Sequence, residues 1–290
     1  MNRGFASLHP APCFLYYVGL VILVMIIYHP LFLLLALCSQ ILLNIMQDGG
    51  RKLKESARFY IFFGLFIALI NPFVSRRGQN VLFYFMDNPV TLEAVVYGIA
   101  MMMSLLTVLI AFVSYNMVIT PDKFMFLFSS ILSKTAFMAM MAMRFVPVLK
   151  RRSQEIALVQ KTRGTDISSG TFIQRIKNGM QILVILITWS LEEAIITSRS
   201  MRARGYSITK NRSSYFDYKM TRRDWAILFL ILFTWANLLL FWYWGIGYFQ
   251  IYPVLAPLVL DMNTGLFLAV SAIYLAIPLV VEGAEKLAWL

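Results

Sequence analysis

Arginine followed by glycine occurs twice in a basic stretch of this 290-residue chain, as Thr162-Arg163-Gly164 and Ala203-Arg204-Gly205, 41 positions apart. A guanidinium offers a fork of donors that fits a carboxylate or phosphate, and a glycine just past a helix takes the left-handed conformation that ends it. Each pair closes a helical pattern, Gln154 to Lys161 for the first and Leu183 to Arg202 for the second. One such pair reads as an ordinary cap, with the cation complementing the negative end of the helix dipole. Two in one polar region of an otherwise apolar chain point to a docking device. Other reactive groups are scarce. The two histidines, His9 and His29, have no ligand set nearby, and Cys13 and Cys38 lie in apolar segments without metal-ligand spacing. A Gly-x-x-x-x-Gly-Lys-[Ser/Thr] phosphate loop is absent. The adjacent Glu192 and Glu193 would project about 100° apart on a helix and so do not converge on one substrate atom. They are expected to pair with Arg199 or Arg202, or to cap a neighbouring helix. No catalytic residue, cofactor or metal site is expected.

The elements that must position these arginines are set by composition. With 60% hydrophobic and 14% charged residues and a mean hydropathy of +0.72, the chain belongs in a bilayer. The expected fold is an all-α integral membrane protein with about six spans: Cys13 to Tyr28, Leu31 to Met46, Phe59 to Val74, Leu92 to Val118, Trp225 to Trp244 and Gly265 to Val281. Pro30 breaks the chain between the first two. The first span lacks a strongly basic leader, so it is expected to be retained. Of the 26 Lys and Arg, 16 fall between Arg144 and Arg223, against five acids. Beside membrane spans such a patch marks the cytoplasmic face before it marks nucleic acid, and no nucleic-acid partner is expected. Arg51, Lys52, Lys54 and Arg58 read as a second cytoplasmic loop, which puts the N-terminus inside as well. Arg76-Arg77 falls outside in this topology, offset by Asp87 and Glu93.

Three regions follow: N-terminal spans over 1–119, a cytoplasmic helical region over 120–223 and C-terminal spans over 224–290. The middle region is too long for a simple loop and too amphipathic for disorder, so its helices should lie along the inner membrane face. Phe124 to Phe145 is apolar, and Pro147 should kink or end it. Met125, Met138, Met140, Met141 and Met143 gather there, with Met101 to Met103 earlier in the chain. They read either as core filler or as an adaptable lateral surface. Thr171 to Ser200 has an apolar centre, Met180 to Trp189, too short to cross a bilayer, so a buried or interfacial helix is expected.

The run Arg144-Phe145-Val146-Pro147-Val148-Leu149, then Lys161-Thr162-Arg163-Gly164, then Ser200-Met201-Arg202-Ala203-Arg204-Gly205-Tyr206 resembles the signature of the transmembrane T component of energy-coupling factor (ECF) transporters, the EcfT/CbiQ family. Thr162 stands where alanine is usual, a small-for-small change that keeps the arginine. The resemblance implies a coupling subunit of an ABC-type importer in a prokaryotic cell membrane. It implies that Arg163, Gly164, Ala203, Arg204 and Gly205 dock two cytoplasmic ATPases, with Arg144 and Pro147 supporting the motif. It also implies that a small membrane-embedded substrate-binding S component is held laterally, for which Met138, Met140 and Met141 are the candidate contacts. Vitamins or transition-metal ions are the cargo class, chosen by the S component rather than by this chain. Two other classes compete. An ion-coupled secondary transporter usually carries acids, histidines or broken helices at mid-membrane depth, whereas the expected spans hold little charge, with Glu93 and Glu282 near their ends. A membrane-embedded enzyme needs a convergent set of reactive groups that the sequence lacks.

Overall fold

The computed structural model describes residues 4–75, 78–85, 88–129, 132–164, 169–206, 208, 218–256 and 261–287. Most of them are helical. The chain divides into two compact units, the first formed by Met1–Phe124 with Tyr218–Leu290, the second by Met125–Asp217.

The first unit opens with a 3-10 turn, Gly4–Ser7, and helix α1, Pro10–Ile26. Helix α2, Pro30–Asp48, starts with proline at its first position, where no intrahelical N–H is needed. Gly49 and Gly50, at φ 60° and 74°, turn the chain directly into α3, Arg51–Val74. Arg51, Lys52, Lys54 and Arg58 are therefore not a loop; they form the opening turns of α3, and only the glycine pair connects the helices. Arg76-Arg77 and Asp87 lie outside the described residues. An antiparallel hairpin of β1, Val81–Phe85, and β2, Asn88–Thr91, was not expected from the apolar pattern. Helix α4, Leu92–Val118, begins where the Thr91 hydroxyl accepts the Ala94 N–H. Helix α5, Pro121–Ser129, crosses the boundary between the units. On the return, α8, Arg222–Tyr243, starts in a reciprocal cap between Thr221 and Asp224, and α9, Met262–Leu287, follows.

Polar bonds specify how these helices meet. Tyr16 of α1 stacks on Tyr274 of α9 with centroids 5.2 Å apart, and the Tyr274 hydroxyl donates to the Tyr16 carbonyl at 2.7 Å. Gln40 of α2 donates to the Tyr16 hydroxyl at 3.0 Å, and Asn44 donates to the Ile110 carbonyl of α4 at 3.2 Å. Between apolar helices in lipid, such bonds and close backbone approach replace the hydrophobic drive. Gly98 provides the approach: a Cβ there would stand 2.9 Å from the Ala68 carbonyl oxygen of α3.

The second unit contains α6, Ser133–Thr162, and α7, Phe172–Ala203. Pro147 does not end α6. It sits mid-helix, so of the kink or end expected there the end is not found, and α6 itself starts after its N-cap residue Leu132. A proline removes one intrahelical bond, and the turns on either side hold the helix together. Helix α7 also differs from expectation. Its apolar centre continues into polar turns at both ends, giving 32 helical residues in which Ile182 is the one buried side chain among those described. It is therefore neither short nor buried within the chain. By length and apolarity α2, α3, α4, α7, α8 and α9 suffice to cross a membrane, while α1, at 17 residues, is shorter. Six helices among the described residues thus have the length and apolarity of a span, but the set includes α7, which was expected to lie in the cytoplasmic region, and leaves out α1.

Candidate docking site

Both arginine-glycine pairs end a helix, and by the same geometry. Arg163 is the C-cap of α6 and Arg204 the C-cap of α7. Gly164 and Gly205 follow at φ 81° and 86°, a conformation that a side chain would strain. The Gly164 N–H donates to the Lys161 carbonyl at 3.1 Å. The Gly205 N–H donates to Arg202 at 3.0 Å and the Tyr206 N–H to Met201 at 3.0 Å, the paired bonds of a Schellman end. Backbone donors thus close both helices, and the guanidinia are not needed as caps. Both arginines are exposed. The ion pairs among the described residues are Arg51–Glu55, Arg151–Glu155 and Arg152–Glu155, none of which uses Arg163 or Arg204.

The helices run antiparallel. Phe137 stacks on Tyr206 with centroids 5.4 Å apart, and the Arg152 guanidinium lies 4.8 Å from the centre of the Trp189 ring. Farther along, Gln160 and Arg163 share an open groove of about 640 Å³ with Lys177, Met180 and Val184. Residue numbers fall on α6 as they rise on α7, so Arg163 and Arg204 sit at opposite ends of the hairpin. From the level of Met180 to Arg204 is about 24 residues, or roughly 36 Å at about 1.5 Å rise each. The two arginines are held apart, not brought together.

A second opening of about 370 Å³, between Arg152, Glu155, Ile156 and Trp189, continues the groove. Arg152 donates to Glu155 at 2.7 Å, and with Arg151 it holds the Glu155 carboxyl below its usual range. That pair and the Trp189 contact were not foreseen, although the three-residue spacing of Arg152 and Glu155 is readable on a helix. Glu192 and Glu193 enter no ion pair among the described residues, so of the two roles expected for them the pairing with Arg199 or Arg202 is not found. Arg144 and Pro147 are exposed one turn apart on α6. Met138 and Met140 are exposed and Met141 is half-buried. Met138 and Met141 share a helix face, while Met140 points to another by the helical repeat. Among the described residues no group of His, Cys, Asp and Glu is arranged to hold a metal. The site offers cations and apolar surface, the means of binding a protein.

The family described as CbiQ, cobalt transport protein, matches residues 6–215. The energy-coupling factor transporter transmembrane protein EcfT of Staphylococcus aureus is 37% identical over 91 residues, covering 31% of this chain and 34% of that protein. EcfT of Acidaminococcus fermentans is 29% identical over 194 residues, 63% of this chain and 71% of that one. An uncharacterized protein of Mycoplasma genitalium, MG181, is 37% identical over 100 residues, 34% of this chain. The matched segment spans 24% of MG181 and 34% of the Staphylococcus protein.

Proposed function

The chain belongs to the cobalt transport protein family CbiQ, and on that footing we propose that it is the transmembrane coupling subunit of an ECF-type ABC importer. Two cytoplasmic ATPases dock on the α6–α7 hairpin, one at Arg163 and one at Arg204. Their ATP-driven closure displaces the hairpin, and the displacement passes to a small membrane-embedded S component that carries a vitamin or transition-metal ion. ATP is hydrolysed by the partners. One observation carries the reading: two helix ends closed by backbone bonds alone, each leaving an exposed arginine outside the ion pairs of the described residues. A desolvated, forked guanidinium meeting a carboxylate is a typical interface anchor.

The antiparallel arrangement adds a condition. Two anchors roughly 36 Å apart at opposite ends of α7 reach partners on one side of the membrane only if the hairpin lies along the inner face. In this reading 120–223 is cytoplasmic, consistent with its excess of Lys and Arg, although α7 is long enough to span. The exposed apolar side chains of α7, among them Ile176, Leu183, Val184 and Ile187, then face lipid head groups, the S component or both. Purifying the tagged chain from its native membrane tests the proposal. Two ATPase polypeptides and a small apolar membrane protein are expected to come with it, and a chain that comes alone from gently solubilised membranes contradicts the reading.

A further inference from the structure

The segment ahead of α1 is tied down by three charged side chains, each from a different helix. The Phe5 N–H donates to Glu282 Oε2 of α9 at 2.8 Å. Lys123 Nζ of α5 donates to the Ala6 carbonyl and, at 3.1 Å, to the Val118 carbonyl at the end of α4. The His9 N–H donates to Asp224 Oδ1 of α8 at 3.2 Å. Lys123, Asp224 and Glu282 are only 2%, 4% and 8% exposed. Gly4 makes room for the arrangement, since a Cβ there would stand 2.0 Å from the Glu282 carboxylate. Burying charge against backbone is costly unless the bonds are specific, and apolar side chains would fill the same space at lower cost. The ties therefore fix a position.

That position is where the chain leaves and re-enters the first unit. Lys123 and Phe124 are its last residues before the second unit, and Tyr218 is the first on return. The Phe124 ring meets Phe14 of α1 edge-on at 6.2 Å, and the Tyr218 ring meets His9 edge-on at 6.4 Å. Asp224, which holds His9, is also the residue that caps α8 with Thr221, accepting its N–H at 2.9 Å. One six-residue strap thus touches both crossings. Burial holds the Lys123 pKa below the usual lysine range.

We propose that Gly4–His9 is a clasp that keeps the outgoing and returning crossings at a fixed spacing, with Lys123 and Asp224 as positioning residues for energy coupling. A displacement arriving along α5 and ahead of α8 is delivered to α1, α8 and α9 instead of being absorbed by slack at the crossings. This rests on the transducer reading above. The test uses the full complex in liposomes, comparing Lys123→Met and Lys123→Arg with the parent for subunit composition, ATP hydrolysis and substrate taken up per ATP. Lys123→Met should leave composition and hydrolysis within about twofold of the parent while uptake per ATP falls by about tenfold, the scale of one lost charge-assisted hydrogen bond. Lys123→Arg should recover most of it. Parental uptake per ATP in an intact Lys123→Met complex overturns the clasp. Should that variant assemble poorly, hydrogen exchange on the parent decides: the Phe5 and His9 amides should stay protected with and without nucleotide, and rapid exchange at both overturns the proposal. Failure of the transducer reading looks different, because the parent itself would then hold no ATPases and take up nothing.

Discussion

The two units bury their apolar residues on different terms. In the first, Phe5, Tyr16, Phe32, Phe267 and Tyr274 are fully enclosed, and hydrogen bonds from Gln40, Asn44 and Tyr274 join α1, α2, α4 and α9. In the second, Ala136 and Ile182 are the buried hydrophobic residues among those described, and long runs of α7 stay exposed. Lipid explains exposure on the first unit, where Phe59, Phe62 and Phe66 of α3 carry no interleaved charge over 59–74. It does not by itself explain a hairpin that mixes Arg151, Arg152, Arg163, Arg175, Lys177 and Arg199 with apolar side chains. On the proposed function, the first unit would be stable alone in a bilayer and the second completed by partners.

Topology is the sharpest way to break this contrast, because its outcome is all or none. Single cysteines at Ser169 and Ile208, beyond opposite ends of α7, should both resist a membrane-impermeant thiol reagent in intact cells, in a background lacking Cys13 and Cys38. Labelling of one and not the other would make α7 a span and leave one arginine on the far side.

Stability should follow the same division. Phe32→Ala opens a cavity in the closed core and is expected to cost on the order of 3 kcal/mol. Ile173→Ala, at a position 78% exposed, should change stability by less than about 0.5 kcal/mol. Thermal unfolding of the purified chain in one detergent measures both, and equal losses would remove the distinction between a self-sufficient unit and a dependent one. A smaller effect is expected at the methionines. Replacing Met138, Met140 and Met141 with valine stiffens side chains that re-pack easily, and should weaken S-component capture by about 1 kcal/mol while ATPase binding is unchanged. Because these three residues do not share one face, Met138→Val and Met141→Val together should account for most of the loss. Undiminished co-purification of both partners would return all three to the role of filler.

How much of this was legible follows from how local each signal is. Spans α2, α3, α4, α8 and α9 announce themselves as apolar runs, and the Arg163-Gly164 and Arg204-Gly205 ends as a cation followed by the residue that tolerates positive φ. The Thr221-x-x-Asp224 pattern is a readable cap as well. Helix α7 was underestimated because only its centre is apolar, and helicity continues through flanking turns that hydropathy scores as polar. Pro147 does not end its helix, because the turns on either side hold it through the one bond the proline removes. The Val81–Phe85 strand is apolar enough to pass for the edge of a span. The ties from Lys123, Asp224 and Glu282 were out of reach: they join backbone groups up to 277 positions apart, and no periodicity encodes them.

The most direct test of the coupling mechanism removes both anchors. Alanine at Arg163 or at Arg204 should cost on the order of 2–4 kcal/mol at that contact, as for a desolvated interfacial arginine. With one anchor left the complex should assemble and couple poorly, and lysine should rescue only in part because it lacks the fork. The measurement is substrate uptake together with ATPase co-purification for the Arg163→Ala, Arg204→Ala double variant. Loss of both ATPases and of uptake, with the helices still closed by their backbone bonds and the chain still folded, is the predicted result. A double variant that retains both ATPases and takes up substrate at the parental rate would contradict it.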